Sequence, residues 1–226
     1  MRSAAGSALL EMGRTRVLCA ASISDKVPDW MNSTGRGWVT AEYGMLPAST
    51  SVRREASRTR PDSRSLEIQR LIGRCLRAVT NLEALGQRTI WIDCDVIEAD
   101  GGTRTAAVTG AYIALHDALE KLVHEGAFPR LPLTDSIAAI SVGLVKGEIL
   151  LDLDYGEDSA AEVDMNIAMT GSGKIVEIQG TAEKTPFDTA VLDRMLALAR
   201  KGIDSLTRLQ QKCFEGQPVL SSRSDG

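Results

Sequence analysis

One junction limits what this chain can become. Residues 88–100, "RTIWIDCDVIEAD", alternate: Ile90, Ile92, Cys94 and Val96 face one way, and Trp91, Asp93 and Asp95 the other. That is the period of a strand with one face in a core. The strand runs straight into Gly101-Gly102. From about Thr105 to His124 a new period follows, with Val108, Ala111, Tyr112, Leu115, Leu119 and Leu122 on one helical face. Gly126 ends that helix. Asp100 and Thr103 are both able to cap its start. A sheet must therefore lie against a helix, which places the chain in the α/β or α+β class.

The flanking segments extend the pattern. Residues 7–12 and 14–23 read as strands around a turn at Gly13-Arg14, and "GWVTAEY" as a short strand. Prolines, serines and arginines over 47–63 read as a loop. From Ser65, the residues Leu66, Ile68, Leu71, Ile72, Cys75, Leu76 and Val79 build an apolar helical face, closed by Gly86. Residues 137–154 read as a hairpin turned at Lys146-Gly147, and 161–180 as another turned at Gly171-Ser172-Gly173. A last amphipathic helix spans 187–211, and 212–226 read as a loose tail. The expected architecture is mixed β-sheets with helices packed on one side, in a single domain over residues 1–211. Aromatic residues are only 4% of the chain and apolar residues 43%, so the core must be aliphatic.

Composition removes several functions. A net charge of −4 argues against nonspecific coating of nucleic acid, though not against a local basic site. The four cysteines, Cys19, Cys75, Cys94 and Cys213, form no CxxC pair and read as reduced thiols of a cytoplasmic protein. With His116 and His124 the only imidazoles, a histidine-based metal site is not expected. No apolar run approaches the ~18 residues that a membrane span requires.

Three features carry chemistry. The run "GGTRT" opens a helix, whose N-terminal N–H groups and dipole favour an anion. Gly102 permits close approach, Thr103 adds a hydroxyl, and Arg104 adds a fork that fits phosphate. The same run also suits an ordinary capped helix with a surface arginine. Next, Arg53, Arg54, Arg58, Arg60, Arg64, Arg70, Arg74 and Arg77 crowd one window that holds no lysine. Arg70, Arg74 and Arg77 recur at i, i+4, i+7, which suits either a polyanion contact or a solvated helix face. Last, Asp154, Glu157, Asp158, Glu162 and Asp164 crowd the junction of the two hairpins. Converging carboxylates can hold Mg²⁺, and a charged turn is the plainer alternative. Together the three features point to phosphoryl transfer on a polyanion.

The stretches "AGSALLEMGRTRVLCAASI", "GWVTAEYGMLPAST", "EIQRLIGRCLRAV", "IDCDVIEADGGTRTAAVTGAYIAL", "ISVGLVKGEILLDLDYGEDSAAEVDMN" and "VEIQGTAEKTPF" resemble the ribonuclease PH family, in family order from residue 5 to about 205. The resemblance implies a ribosomal-protein-S5-domain-2-like fold. It implies phosphate-dependent 3′→5′ exoribonuclease activity that trims tRNA precursors and releases nucleoside diphosphates. Inorganic phosphate is the co-substrate and Mg²⁺ the cofactor. The phosphate site maps onto Arg64, Gly102, Thr103 and Arg104, and the metal-site carboxylates onto Asp158 and Asp164. Arg104, Asp158 and Asp164 form the implied catalytic set, while Arg53, Arg54, Arg70 and Arg74 are candidates to grip RNA. A homo-hexameric ring, a trimer of dimers, is the implied assembly.

Three departures from the family matter, and one is a tail after about Arg208 that matches no stretch of the family. Its basic leading strand is reduced here to "MRSA", which predicts an exposed sheet edge at the first hairpin. The segment before "EIQR" reads "DSRSL", which sets Asp62 near Arg64 as a competitor for phosphate. The latter two favour the alternative of a catalytically weak or inactive RNA-binding ring subunit. A hydrolytic nuclease would not need the anion seat.

Overall fold

The computed structural model describes residues 1–54 and 62–216. The elements are β1 (Gly6–Met12), β2 (Thr15–Ser24), a 3-10 turn (Asp29–Met31), β3 (Trp38–Met45), α1 (Ser63–Ala78), α2 (Leu82–Leu85), β4 (Thr89–Glu98) and α3 (Thr103–His124). Then follow β5 (Ile137–Val145), β6 (Glu148–Leu151), α4 (Tyr155–Ala160), β7 (Val163–Thr170), β8 (Ile175–Ala182) and α5 (Thr189–Phe214). They build two four-stranded sheets, ordered β1-β2-β4-β3 and β6-β5-β7-β8. Only β3 and β4 pair in parallel, since α1 carries the chain between them; the hairpins supply antiparallel pairs.

The first sheet shows the alternation that the sequence prescribes. Val17, Cys19 and Ala21 of β2, Val39, Ala41 and Tyr43 of β3, and Ile90, Ile92, Cys94 and Val96 of β4 are buried against α1 and α3. Trp91, on the opposite face, is exposed. Helix α3 is buried on nearly every side, because the second sheet closes over it with Ile137, Ala139 and Ala168. The other face of that sheet, with Ala138, Ile140, Val142, Met165, Ile167 and Met169, packs on Met195, Ala199 and Ile203 of α5. One-sided packing thus holds for the first sheet. The second carries a helix on each face, because β5 and β7 are apolar on both.

Three boundaries differ from the sequence expectation. Helix α1 stops at Ala78, and Gly86 instead ends the short α2, whose N-cap Asn81 accepts from the Ala84 N–H. The acidic stretch after Leu153 is a helix, α4, rather than a plain turn. Helix α5 continues to Phe214, so residues 212–214 are not loose. Phe214 stacks on His116, and the Gln210 side-chain amide donates to the carbonyls of Thr109 and Ile137. The segment from residue 217 on lies outside the described residues, as do Arg58 and Arg60.

Candidate active site

The glycine pair ends β4 and opens α3 with two left-handed residues, Gly101 at φ 77° and Gly102 at φ 56°. A Cβ on Gly101 would sit 2.1 Å from the Leu153 carbonyl oxygen, so no other residue fits there. The Thr15 hydroxyl donates to the Gly101 carbonyl at 2.7 Å and accepts from the Asp100 N–H at 2.8 Å. Asp100 does not cap α3. Its carboxylate accepts from Arg14 Nε at 2.8 Å and from the Tyr155 N–H at 3.3 Å. Gly102 is the N-cap, and among the described residues no side chain caps the first N–H groups of the helix. The first turn of α3 therefore presents its N–H groups and the positive end of its dipole to the cleft.

Thr103 completes that end. Its hydroxyl accepts from the Tyr43 phenol at 2.9 Å, which leaves its own proton to donate. Burial pushes the Tyr43 phenol up and keeps it protonated, against a smaller lowering by the bond to Thr103. Arg104 is half-buried, and its Nη1 donates to Gln179 Oε1 at 3.0 Å, with Glu67 at 3.9 Å. Gln179, on β8, donates in turn to Glu67 at 3.1 Å. Two elements thus hold one guanidinium.

The carboxylates come from the far side. Asp164 lies on β7 and Asp158 in the first turn of α4. Burial pushes the Asp164 carboxyl up and the Asp158 charge adds to it, while Arg104 and the Asn166 amide oppose the shift. A carboxylate whose ionisation is disfavoured by a second carboxylate beside it fits a site for a divalent cation with oxygen ligands, as Mg²⁺ is. Two of the other acids are structural. Asp154 caps α4, and Glu157 closes a capping box with it: the Glu157 N–H donates to Asp154 at 2.8 Å and the Asp154 N–H donates to Glu157 at 3.1 Å.

A cavity of about 180 Å³ gathers Arg54, Arg64, Gly102, Thr103, Arg104, Asp158 and Asp164. Two larger clefts adjoin it. One of about 460 Å³ shares Arg64, Arg104, Asp158 and Asp164 and runs toward Gln179 and Lys184. The other, of about 820 Å³, shares Arg54 and Tyr155 and runs past Arg53 and Arg14. The predicted phosphate and carboxylate residues therefore meet, with Arg53 and Arg54 along the entrance.

Arg70 and Arg74 line none of these clefts. Arg74 makes a bidentate pair with Glu177, at 2.8 and 3.2 Å. Arg77 donates to the Val39 carbonyl at 2.8 Å and lies 4.2 Å over the Trp38 ring. Arg74 and Arg77 are thus paired within the fold, Arg74 at its surface. Asp62 is the N-cap of α1 and accepts from the Ser65 N–H at 2.7 Å. It anchors the helix that carries Arg64, and it does not line the 180 Å³ cavity.

Sequence reasoning missed Gln179, Tyr43 and Asp152. Asp152 is a half-buried aspartate at φ 57°, whose carboxyl is pushed up by burial and then by Glu157. Only the turn geometry betrays it, since aspartate is among the few residues that tolerate the left-handed region.

Residues 1–119 match the model of the 3′ exoribonuclease family, domain 1, and residues 135–202 match that of domain 2 of the same family. The chain belongs to the 3′ exoribonuclease family. Its fold is also that of solved structures at low identity. A chain of the Archaeoglobus fulgidus exosome with RNA bound to the active site matches with TM-score 0.78 at 20% identity, covering 92% of this chain and 84% of that one. An archaeal exosome core chain gives 0.71 at 19%, covering 95% and 83%, and Rrp46 from rice (Oryza sativa) gives 0.68 at 16%, covering 94% and 90%. The family's two matched stretches divide the site between them. Arg64, Gly102, Thr103 and Arg104 come from the first, and Asp158, Asp164 and Gln179 from the second. Among the described residues, no helix is long and apolar enough to cross a membrane.

Proposed function

We propose that the protein is a phosphate-dependent 3′→5′ exoribonuclease that trims tRNA precursors. One observation carries this: the uncapped start of α3, with Thr103, Arg104 and Arg64, faces Asp158 and Asp164 across one small cavity. Hydrolysis needs no such seat. Orthophosphate held on the Thr103, Arg104 and Thr105 N–H groups and the Arg104 fork is positioned as a nucleophile. One of its oxygens attacks the phosphorus of the last phosphodiester, and the bond to the 3′ oxygen of the shortened RNA breaks. That oxygen takes a proton, and the terminal nucleotide leaves as a nucleoside diphosphate. Asp158 and Asp164 would hold Mg²⁺, which lowers the cost of charge on the reacting phosphates. One of the two would instead act as the proton carrier, in place of holding the ion. Arg53 and Arg54 would guide the RNA backbone toward the cleft. The assembly that suits this family is a homo-hexameric ring in the cytoplasm.

A second function has one observation in its favour: Arg104 is already engaged by Gln179 and Glu67. A ring subunit that binds RNA with weak or no catalysis would tolerate that pairing.

The deciding experiment incubates the purified protein with a tRNA bearing extra 3′ nucleotides and Mg²⁺, with and without phosphate. Phosphate-dependent release of diphosphates, lost in Arg104→Ala, supports phosphorolysis. Monophosphates released without phosphate sink it. RNA binding without release points to the inactive subunit.

A further inference from the structure

A second cluster of ligating groups lies farther along α3. His116, Asp117 and Glu120 each bring one ligand atom within 4.8 Å of the other two. His116 is only 8% exposed, and its Nδ1 has no hydrogen-bond partner among the described residues. A buried ring nitrogen without a partner is uncommon, because the desolvated lone pair or N–H goes uncompensated. Phe214 stacks on the imidazole, with centroids 3.6 Å apart and planes 13° apart. Stacking covers a face and leaves the ring plane, where a nitrogen binds a metal, open to a ligand. His116 and Glu120 sit at i and i+4, neighbours on one helix face.

The donor set decides the ion. Mg²⁺ takes oxygen ligands and keeps its waters, whereas one imidazole with two carboxylates suits Zn²⁺. Two histidines in the whole chain seemed too few for such a site, but one suffices when carboxylates complete the set. We propose that His116, Asp117 and Glu120 form a zinc site separate from the phosphate cleft. It lies about 18 Å along the helix axis from Arg104, at ~1.5 Å per residue. Bound zinc would cancel the repulsion of two adjacent carboxylates. It would also fasten α3 to the last turn of α5, through Phe214 on His116. The role is structural, and it does not depend on the protein being a nuclease.

The test uses the full chain stripped of metal, titrated with Zn²⁺ by calorimetry and followed by thermal melting. One zinc per chain and a raised Tm are expected. Glu120→Gln and His116→Gln should each weaken zinc binding by more than the roughly 10–100-fold that loss of an outer-shell partner costs. Asp158→Asn tests the other carboxylate site, and Cys213→Ser tests the exposed thiol; both should bind as the parent does. Glu120 needs no core repacking, so its variant stays informative if His116→Gln fails to fold. No uptake at micromolar Zn²⁺ overturns the proposal. So does uptake that survives Glu120→Gln, or that disappears in Asp158→Asn or Cys213→Ser.

Discussion

Arg104 of α3 and Gln179 of β8 meet side chain to side chain: Nη1 of one donates to Oε1 of the other at 3.0 Å. The bond joins the first turn of α3 to β8, so the phosphate fork is aimed by a residue that shares no element with it. Gln179→Ala should leave the fold intact and loosen that aim. The expected result is a KM for phosphate raised by about tenfold, with kcat less affected. Arg104→Ala removes the fork itself and should cost on the order of 10²–10³ in kcat/KM. Phosphate titrations of the trimming reaction check both.

Gly101 and Gly126 separate two costs of replacing a glycine. Both are left-handed, at φ 77° and 78°, but a Cβ on Gly126 meets nothing within 4 Å, while on Gly101 it meets the Leu153 carbonyl at 2.1 Å. Gly126→Ala should cost about 1–2 kcal/mol, the left-handed penalty alone. Gly101→Ala should cost more than that, since the chain must also move at the mouth of the cleft. Urea unfolding measures the difference.

Asp164 should show a stability–function conflict with pH. Its folded-state carboxyl is raised, chiefly by burial and then by Asp158. The native state therefore favours the proton more than the unfolded chain does. Stability from this group is fully present below the unfolded pKa of about 3.9 and is lost as pH rises through the higher folded value. Asp164→Asn should unfold at higher denaturant than the parent near neutral pH, with the gap closing under acid, and it should not trim RNA. Denaturation midpoints across pH, beside one activity assay, settle it.

The arginines should divide by position. Arg53→Ala and Arg54→Ala should each weaken RNA binding and lower the salt slope by about 1, as expected when one phosphate contact is lost. Arg74→Ala should leave RNA affinity within about twofold, because Glu177 already holds that guanidinium. Binding isotherms at several salt concentrations distinguish the two groups.

What the sequence revealed follows from how each feature is encoded. The β4-to-α3 junction was legible because the apolar period changes from two to 3.6 across a glycine pair. Arg104, Asp158 and Asp164 stood out as charges next to that junction or in a dense acidic run. Helix α4 did not, since it spans only Tyr155–Ala160 and buries no residue; its one signal is the Asp154-x-x-Glu157 capping pattern. Gln179 was silent because an uncharged amide on a strand has no periodic signature, and its role exists only once β8 stands opposite α3. Arg74 misled for the same reason: helical spacing gives a face, but not what that face meets.

The proposed anion seat is made of main-chain N–H groups at the head of a helix clamped between both sheets. Side-chain substitution cannot erase those donors without unfolding the centre of the molecule. The carboxylates opposite are two replaceable side chains, one of them exposed. Grip and chemistry are thus unequally durable: a copy of this scaffold that lost Asp158 or Asp164 would still hold a phosphate, so drift would leave behind a binder rather than an inert shell.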